Sequence, residues 1–235
     1  MPPPTTPPRP PALQISIVVP ALNEAAGIAA TLAALAPLRA AGHEVLVVDG
    51  GSSDGTPALC AGLADAVLAG PRGRARQMNA GAARAHGAVL LFLHADTRLP
   101  AGAADAVQRA VAGGAPWGRF DVHIEGRPRL LRVVAASMNL RSRWTGIATG
   151  DQAIFVQRAA FQAVGGFADQ PLMEDIELSR RLRRVGAPAC LRERVHTSGR
   201  RWEQRGVWRT IWLMWRLRWR YWRGASPEAL AQAYR

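Results

Sequence analysis

From Gln14 onward the chain alternates apolar runs with polar, turn-forming clusters. QISIVVP is a short β-branched run stopped by Pro20, and it predicts a strand. Asn23 stands in the position of an N-cap, opening an Ala- and Leu-rich helix predicted over Glu24 to Leu35. EVLVVDG predicts a second strand that runs into the turn-rich GGSSDGT, with a helix from Thr56. ADAVLAG predicts a short third strand and Arg74 to Ala85 a helix. GAVLLFLHAD predicts a fourth strand, apolar throughout as a strand buried on both faces should be. Strand and helix repeating in this way predict an α/β fold, a mostly parallel sheet with helices on both faces. Ligands of such sheets bind beyond the carboxyl ends of the strands. The polar clusters Asn23/Glu24, Asp49 to Asp54 and His94 to Thr97 all fall there.

The flanks read differently. Seven of the first eleven residues are proline, so residues 1–13 are expected to form an extended lead-in, without the charged and then apolar pattern of a signal peptide. No stretch reaches 18 apolar residues without a charge, which argues against a spanning helix. Cys60 and Cys190 are the only cysteines, which excludes a disulfide framework and a Cys/His zinc cluster. The 30 basic residues are all arginine. Residues 1–126 hold nine arginines against nine carboxylates, and residues 127–235 hold 21 against eight, so the whole net charge of +13 sits in the second half. Such asymmetry points to an anionic partner: nucleic acid, a membrane surface or a phosphorylated substrate.

Taken singly, the polar clusters are ordinary caps and loops; at the ends of consecutive strands they read as one site. Asp49 is suited to accept hydrogen bonds from a base edge, and glycines such as Gly51 let backbone approach a ligand closely. In order, IVVPALNE, VLVVDGGSSDGT, RARQMNAGAARAHGAVLLFLHADT, GGF and MEDIELSRRLRRVG resemble family 2 glycosyltransferases of the Rossmann-like GT-A fold, over roughly residues 14 to 190. The segments LHADT, TGDQ and SGRRW resemble a bacterial subgroup linked with arsenosugar biosynthesis. The resemblance implies a catalytic domain, taken over 14–200, and the residues beyond it read as a basic, Trp-rich helical arm over 201–235. It implies that Pro20, Ala21, Asn23, Glu24 and Asp49 line a nucleotide pocket, with Gly51 and Asp54 in the same turn, and that Arg76 and Asn79 flank the base and diphosphate. Asp96 matches the last Asp of the family's D-x-D metal motif, for which Mn²⁺ or Mg²⁺ is the expected ion. His94 replaces the first Asp, either as a ligand or as a packed, hydrogen-bonded residue, and His196, at a late strand end, is a further candidate ligand. Glu174-Asp175 matches the family's E-D pair, from which the resemblance implies a general base, here taken as Asp175, for an acceptor hydroxyl that must lose its proton. Direct attack inverts the anomeric centre, and no carboxylate nucleophile for a retaining route is identified. Asp151 and Gln152 either reach the sugar or acceptor or simply end a turn. SGRRWEQRG partly matches the Q-x-x-R-W element of processive members, with Ser198 in place of Gln; Arg201 and Trp202 offer a charge for phosphate and a ring for stacking.

Trp208, Trp212, Trp215, Trp219 and Trp222 are spaced 4, 3, 4 and 3, one stripe of a helix, with Arg209, Arg216, Arg220 and Arg223 off it and Arg218 widening the basic zone. Residues 207–223 therefore suit either a membrane headgroup layer or packing against the catalytic domain or a second subunit. The leading reading is a metal-dependent inverting glycosyltransferase that uses a UDP- or GDP-type sugar and an acceptor that a lipid could carry. It would act in the cytoplasm, peripheral to the inner face of the membrane, with a homo-oligomer left open. A sugar nucleotidyltransferase is the enzyme alternative, disfavoured because no Gly-rich, lysine-bearing loop follows the first strand. A specific nucleic-acid module is disfavoured by the lack of a recognised motif, and a non-catalytic relative that binds by charge stays open.

Overall fold

The computed structural model describes residues 13–234, so all but the last residue of the expected lead-in lies outside the described residues. Along the chain run β1 (Ile15–Ala21), α1 (Ile28–Ala40), β2 (Glu44–Asp49), α2 (Thr56–Cys60), β3 (Ala66–Ala69), α3 (Arg74–Arg84), β4 (Val89–Phe92) and β5 (Thr97–Arg98). Then come α4 (Ala103–Ala112), β6 (Trp117–Glu125), α5 (Leu130–Thr145), a 3₁₀ turn (Gly150–Gln152), β7 (Phe155–Gln157), α6 (Arg158–Ala163) and α7 (Glu174–Leu182). The chain closes with β8 (Ala189–Ser198), α8 (Arg200–Arg205), α9 (Val207–Trp222) and α10 (Pro227–Tyr234).

The strands form one eight-stranded sheet in the order β3-β2-β1-β4-β7-β6-β8-β5. β3, β2, β1 and β4 are mutually parallel, as the apolar runs predict. Beyond β4 the sheet becomes mixed: short β7 runs antiparallel to both β4 and β6, and β6 pairs in parallel with β8. Alternation along the strands feeds two cores. Ile15, Ile17, Val19, Val45, Val47, Val89 and Leu91 pack on one face, under α1 and α4. Val18, Leu46, Val48, Leu90 and Phe92 pack on the other, with Met78 of α3 and Leu178 of α7. α3 approaches this face so closely that a Cβ on Gly81 would overlap Val18.

α1 differs from expectation. It begins at Ile28, not Glu24, and Gly27 rather than Asn23 occupies the N-cap, without a side-chain cap. Asn23 is drawn away because its Oδ1 accepts a hydrogen bond from the Ser53 N–H at 2.9 Å, bracing the next loop instead of its own helix. The helix predicted from Thr56 is only one turn long, ending at Cys60.

α5 is bolted to β6 by polar contacts that the sequence does not advertise. Arg119, fully buried, pairs with Asp121 and donates to Ser142 Oγ and the Asn139 carbonyl at 3.0 and 3.1 Å. Arg143 pairs with the other Asp121 oxygen at 2.6 Å, and the Asn139 amide bonds both backbone groups of Val122. α9 buries Thr210 and Leu217, and packs Leu213, Met214 and Tyr221 around Met173 and Leu230. Its tryptophan stripe stays largely in solvent: the five rings are 58–80% exposed, with Trp208 and Trp215 at the rim of a cavity. The rest of the described chain therefore leaves the stripe largely uncovered.

Candidate active site

The loops after β1 and β2 are stitched into one cradle. Asp49 Oδ2 accepts from the Gly51 and Ser52 N–H groups at 2.9 and 3.0 Å, and Ser52 Oγ donates to Oδ1 at 2.5 Å. Ser52 Oγ in turn accepts from the Asn23 N–H at 2.8 Å. Thr56 Oγ1 accepts from the Glu24 N–H, and Asp54 accepts from the Ala25 N–H, each at 2.9 Å. Asn23 is held at φ +55°, a left-handed backbone that a non-glycine residue keeps only where its surroundings enforce it. Gln77 of α3 closes the floor, its Nε2 donating to the Ala21 and Val48 carbonyls at 2.7 and 2.8 Å. Asp49 and Asp54 thus shape the cradle through their own backbone contacts.

Beside it opens a cavity of about 1010 Å³ whose walls include Pro20, Glu24, Asp96, Asp151, Glu174 and Asp175. Asp151 leaves the 3₁₀ turn toward His94, whose Nδ1 lies 3.2 Å from Oδ1. Burial works against the Asp151 charge, but the His94 hydrogen bond and charge and then Arg74 outweigh it and lower its pKa. Glu174 and Asp175 open α7 directly after Met173, which sits at φ +65°. Asp175 is oriented by two backbone donors, Gly150 N–H to Oδ2 at 2.8 Å and Ile176 N–H to Oδ1 at 2.7 Å. Glu174 is buried, and desolvation followed by repulsion from Asp175 raises its pKa despite Arg74 at 3.6 Å. Glu24 is likewise raised, by burial and then by Asp96. Burial opposes the Arg74 charge, yet Glu174, Asp151, Asp175 and Asp96 overcome it and hold the guanidinium more firmly charged. Arg200 lies 3.5 Å from Glu24 and 3.8 Å from Asp96.

Other residues singled out in the sequence are placed variously. Arg201 and Trp202 line the cavity, Arg201 also lying over the Tyr234 ring at 4.7 Å. Gln152 turns inward, its amide accepting from the Thr149 N–H and donating to Asn139. Arg76 pairs with Asp169 at 2.6 Å, and Asn79 bonds both backbone groups of Phe167, so both brace the segment after α6 outside the cavity lining. His196 also lies off the cavity, beside Glu125 at 3.3 Å and the His123 ring. Arg74, Arg141 and Arg200, which line the cavity, escape sequence reasoning. The arginine excess was the available signal, but a count cannot say which guanidinium turns inward.

The cavity's donors suit a hard cation only in part. Asp96 and Glu24 present carboxylate oxygens on one wall, the donor type that Mn²⁺ and Mg²⁺ prefer. Among the described residues no group of three His, Cys, Asp or Glu converges as a closed metal cage. His94 Nε2 is buried without a hydrogen-bond partner among the described residues and abuts Gly150, where any Cβ would collide with it. The protein side therefore fits an ion shared with an anionic ligand.

In an α/β sheet the carboxyl ends of the strands are where ligands bind, and here carboxylates and arginines gather there around one cavity. Residues 16–158 match the model of glycosyl transferase family 2, and the chain belongs to that family. It is a glycosyltransferase. No curated protein matches the sequence as a relative. Among solved structures it is similar to the mannosyltransferase PcManGT from Pyrobaculum calidifontis, in complex with GDP-Man and Mn²⁺ (21% identity, TM-score 0.65, 94% of this chain and 68% of that one). It is also similar to S. aureus TarS 1-349 in complex with UDP-GlcNAc (18%, 0.63, 79% and 58%), of which it spans under two thirds. A third is glucosyl-3-phosphoglycerate synthase from Mycobacterium tuberculosis, with Mn²⁺, UDP and glucosyl-3-phosphoglycerate (18%, 0.55, 78% and 70%). At these identities the likeness is one of fold.

The raised Glu174 pKa has a testable sign. Folding favours its protonated form, so the associated stability is present below the ordinary glutamate range and is lost as pH rises through the raised value. Glu174→Gln, neutral throughout, should match the parent's melting temperature near pH 4 and exceed it at pH 8, as read by calorimetry at both pH values.

Proposed function

We propose that the chain transfers a sugar from a nucleoside-diphosphate sugar to an acceptor hydroxyl with inversion. The observation that carries this is the convergence of Asp96, Asp151, Glu174 and Asp175 with Arg74, Arg200 and Arg201 on one cavity. The cradle of residues 20–24 and 49–54 takes the nucleoside side of the donor. Arg74, Arg200 and Arg201 surround Asp96 and offset the charge of the diphosphate. Asp96 is the carboxylate placed to hold Mn²⁺ or Mg²⁺, whose charge when bound would stabilise the leaving diphosphate. Complexes of similar structures with GDP-Man or UDP-GlcNAc support a donor of this class, UDP or GDP in type.

Asp175 takes the acceptor proton as the new C–O bond forms, while the bond to the diphosphate breaks and its electron pair leaves with the nucleotide. Its two backbone donors fix the carboxylate's direction, as a general base requires. Glu174 holds Arg74 at the same wall. His94, Asp96, Asp151 and Arg201 come from the segments that resemble the arsenosugar-linked subgroup, which supports placing the chain there.

The acceptor in this reading is presented at an anionic membrane surface. α5 and α9 both line the cavity; Val133, Trp208 and Trp215 are exposed at its rim, and Leu140, Trp144, Trp212, Trp219 and Trp222 are exposed beyond it. Arg209, Arg216, Arg220 and Arg223 flank the rings, and tryptophan beside arginine is the chemistry of an anionic headgroup layer. Among the described residues no helix is long and apolar enough to cross a bilayer, so the contact is peripheral, and we place it at the cytoplasmic face.

Asp175→Asn should lower transfer by about 10²–10⁴-fold, the usual worth of a general base, while nucleotide affinity stays near that of the parent; steady-state kinetics with calorimetric UDP and GDP titrations read both. Asp96→Ala should remove the Mn²⁺-dependent part of the thermal shift given by the nucleotide. In flotation assays the full chain should rise with phosphatidylglycerol vesicles and not with phosphatidylcholine alone. The triple variant W212S/W219S/W222S, altered only at exposed rings, should lose that flotation; a parent chain that never floats would refute the membrane contact.

A further inference from the structure

Arg141 and Arg218 enter the cavity from two different helices, α5 and α9. Nε and Nη2 of Arg141 are buried and have no hydrogen-bond partner among the described residues. Arg218, half-buried, makes no hydrogen bond or ion pair among them either, so the buried unsatisfied donors are those of Arg141. An unpaired buried charge is among the costliest features a fold retains. The contrast with Arg119 is sharp: that guanidinium is fully buried and satisfied by Asp121, Ser142 and Asn139. Burial, and then the charge of Arg218, lower Arg141 to about 10, opposed by Asp175. Burial also lowers Arg218, against Asp175 and Asp151.

The cavity's arginines fall into two sets. Arg74, Arg200 and Arg201 act on Asp96, the diphosphate side. Arg141 and Arg218 enter from the opposite side, beside Asp175, the base, and Arg218 also beside Asp151, whereas Arg74 spans both sides. One leaving diphosphate accounts for the first set, and the second, near Asp175 but without a hydrogen bond to it among the described residues, has no ligand oxygen of its own.

We propose that Arg141 and Arg218 form an oxyanion site for the acceptor, so that the hydroxyl deprotonated by Asp175 belongs to a molecule carrying a phosphate group. The inference rests on reading the cavity as a glycosyl-transfer site. Two guanidiniums converging from separate helices offer forked donors and two positive charges, the match for a phosphate dianion rather than for a single carboxylate. Occupation would also relieve the repulsion between them, coupling acceptor binding to the docking of α9 on α5. The phosphate can belong to a soluble ester or to a lipid headgroup entering between the exposed faces of the two helices.

Thermal-shift titrations of the full chain with inorganic phosphate test this, with ionic strength held by chloride, alone and with saturating Mn²⁺ and UDP or GDP. The parent should be stabilised by phosphate additively with the nucleotide. Arg218→Gln and Arg141→Met should weaken phosphate by about tenfold or more, the worth of a charge-assisted contact, and keep the nucleotide shift. Arg141→Met should also melt higher than the parent without ligand, because it removes an unpaired buried charge; this separates a binding residue from a structural one. Soluble dihexanoyl phosphatidic acid in the same assay decides the source: tighter binding than phosphate assigns a lipid headgroup, equal binding a soluble ester. No phosphate response in the parent, or an unchanged response in both variants, overturns the site even where the nucleotide shift stands. Absence of the nucleotide shift with the phosphate response intact would instead strike the donor reading.

Discussion

Parallel pairing of β1 between β2 and β4 is the constraint from which the site follows. In that register Ala21 lies opposite Asp49, and Val18 opposite Phe92, so three polar loops emerge from the same edge of the sheet. A slip of one residue would turn Ile15, Ile17 and Val19 out of their core and carry Glu24 and Asp49 off the cradle. Burial of both faces of these strands holds the register. The loops then interlock through side chains that bond each other's backbone, Asn23 with Ser53 and Asp54 with Ala25. Polar chemistry is thereby held rigid at the rim of an apolar sheet.

The second half of the chain supplies the opposite wall by a different principle. β7 enters antiparallel, and its preceding 3₁₀ turn carries Asp151 to His94 and Gly150 to Asp175. Gly150 is needed because His94 occupies the space a Cβ would fill. α5 is fixed by the buried Arg119–Asp121–Arg143 cluster, and α9 by the apolar contacts of Leu217 with Met173 and Leu230. Acidic and basic groups meet across the resulting cavity in a partly dehydrated space. Burial and charge perturb these groups: Glu174 is raised by desolvation and then by Asp175, while Asp151 is lowered by its hydrogen bond to His94 and the His94 charge. Such mutual tuning suits the proposed site, which would hold a diphosphate and accept a proton within one enclosure.

The helix α9 shows how one element serves two environments. Its inner face, Thr210, Leu213, Met214, Leu217 and Tyr221, follows helical spacing and seals the body of the chain. Its outer face keeps large aromatic rings in water, which a soluble surface has little reason to do. The same helix turns Arg218 inward. Surface chemistry and cavity chemistry are thus mechanically joined.

Much of this was legible in the residues themselves. Alternating apolar runs and turn clusters determine β1 to β4, their parallel order and the strand ends where chemistry gathers, because period and turn chemistry are local properties. The ordered motifs determine family membership and point to Glu174, Asp175 and Asp96. Only the tertiary structure decided that Asn23 braces a neighbouring loop and does not cap α1, and that Asn79 and Arg76 hold the segment after α6 outside the cavity. It also decided which of 30 arginines face inward. The reason is physical: a side chain's partner across the fold depends on register and helix rotation summed over distant elements. Arg119 and Arg141 both lie beside α5, yet the fully buried Arg119 is satisfied by the fold, while half-buried Arg141 lines the cavity with Nε and Nη2 unpartnered among the described residues.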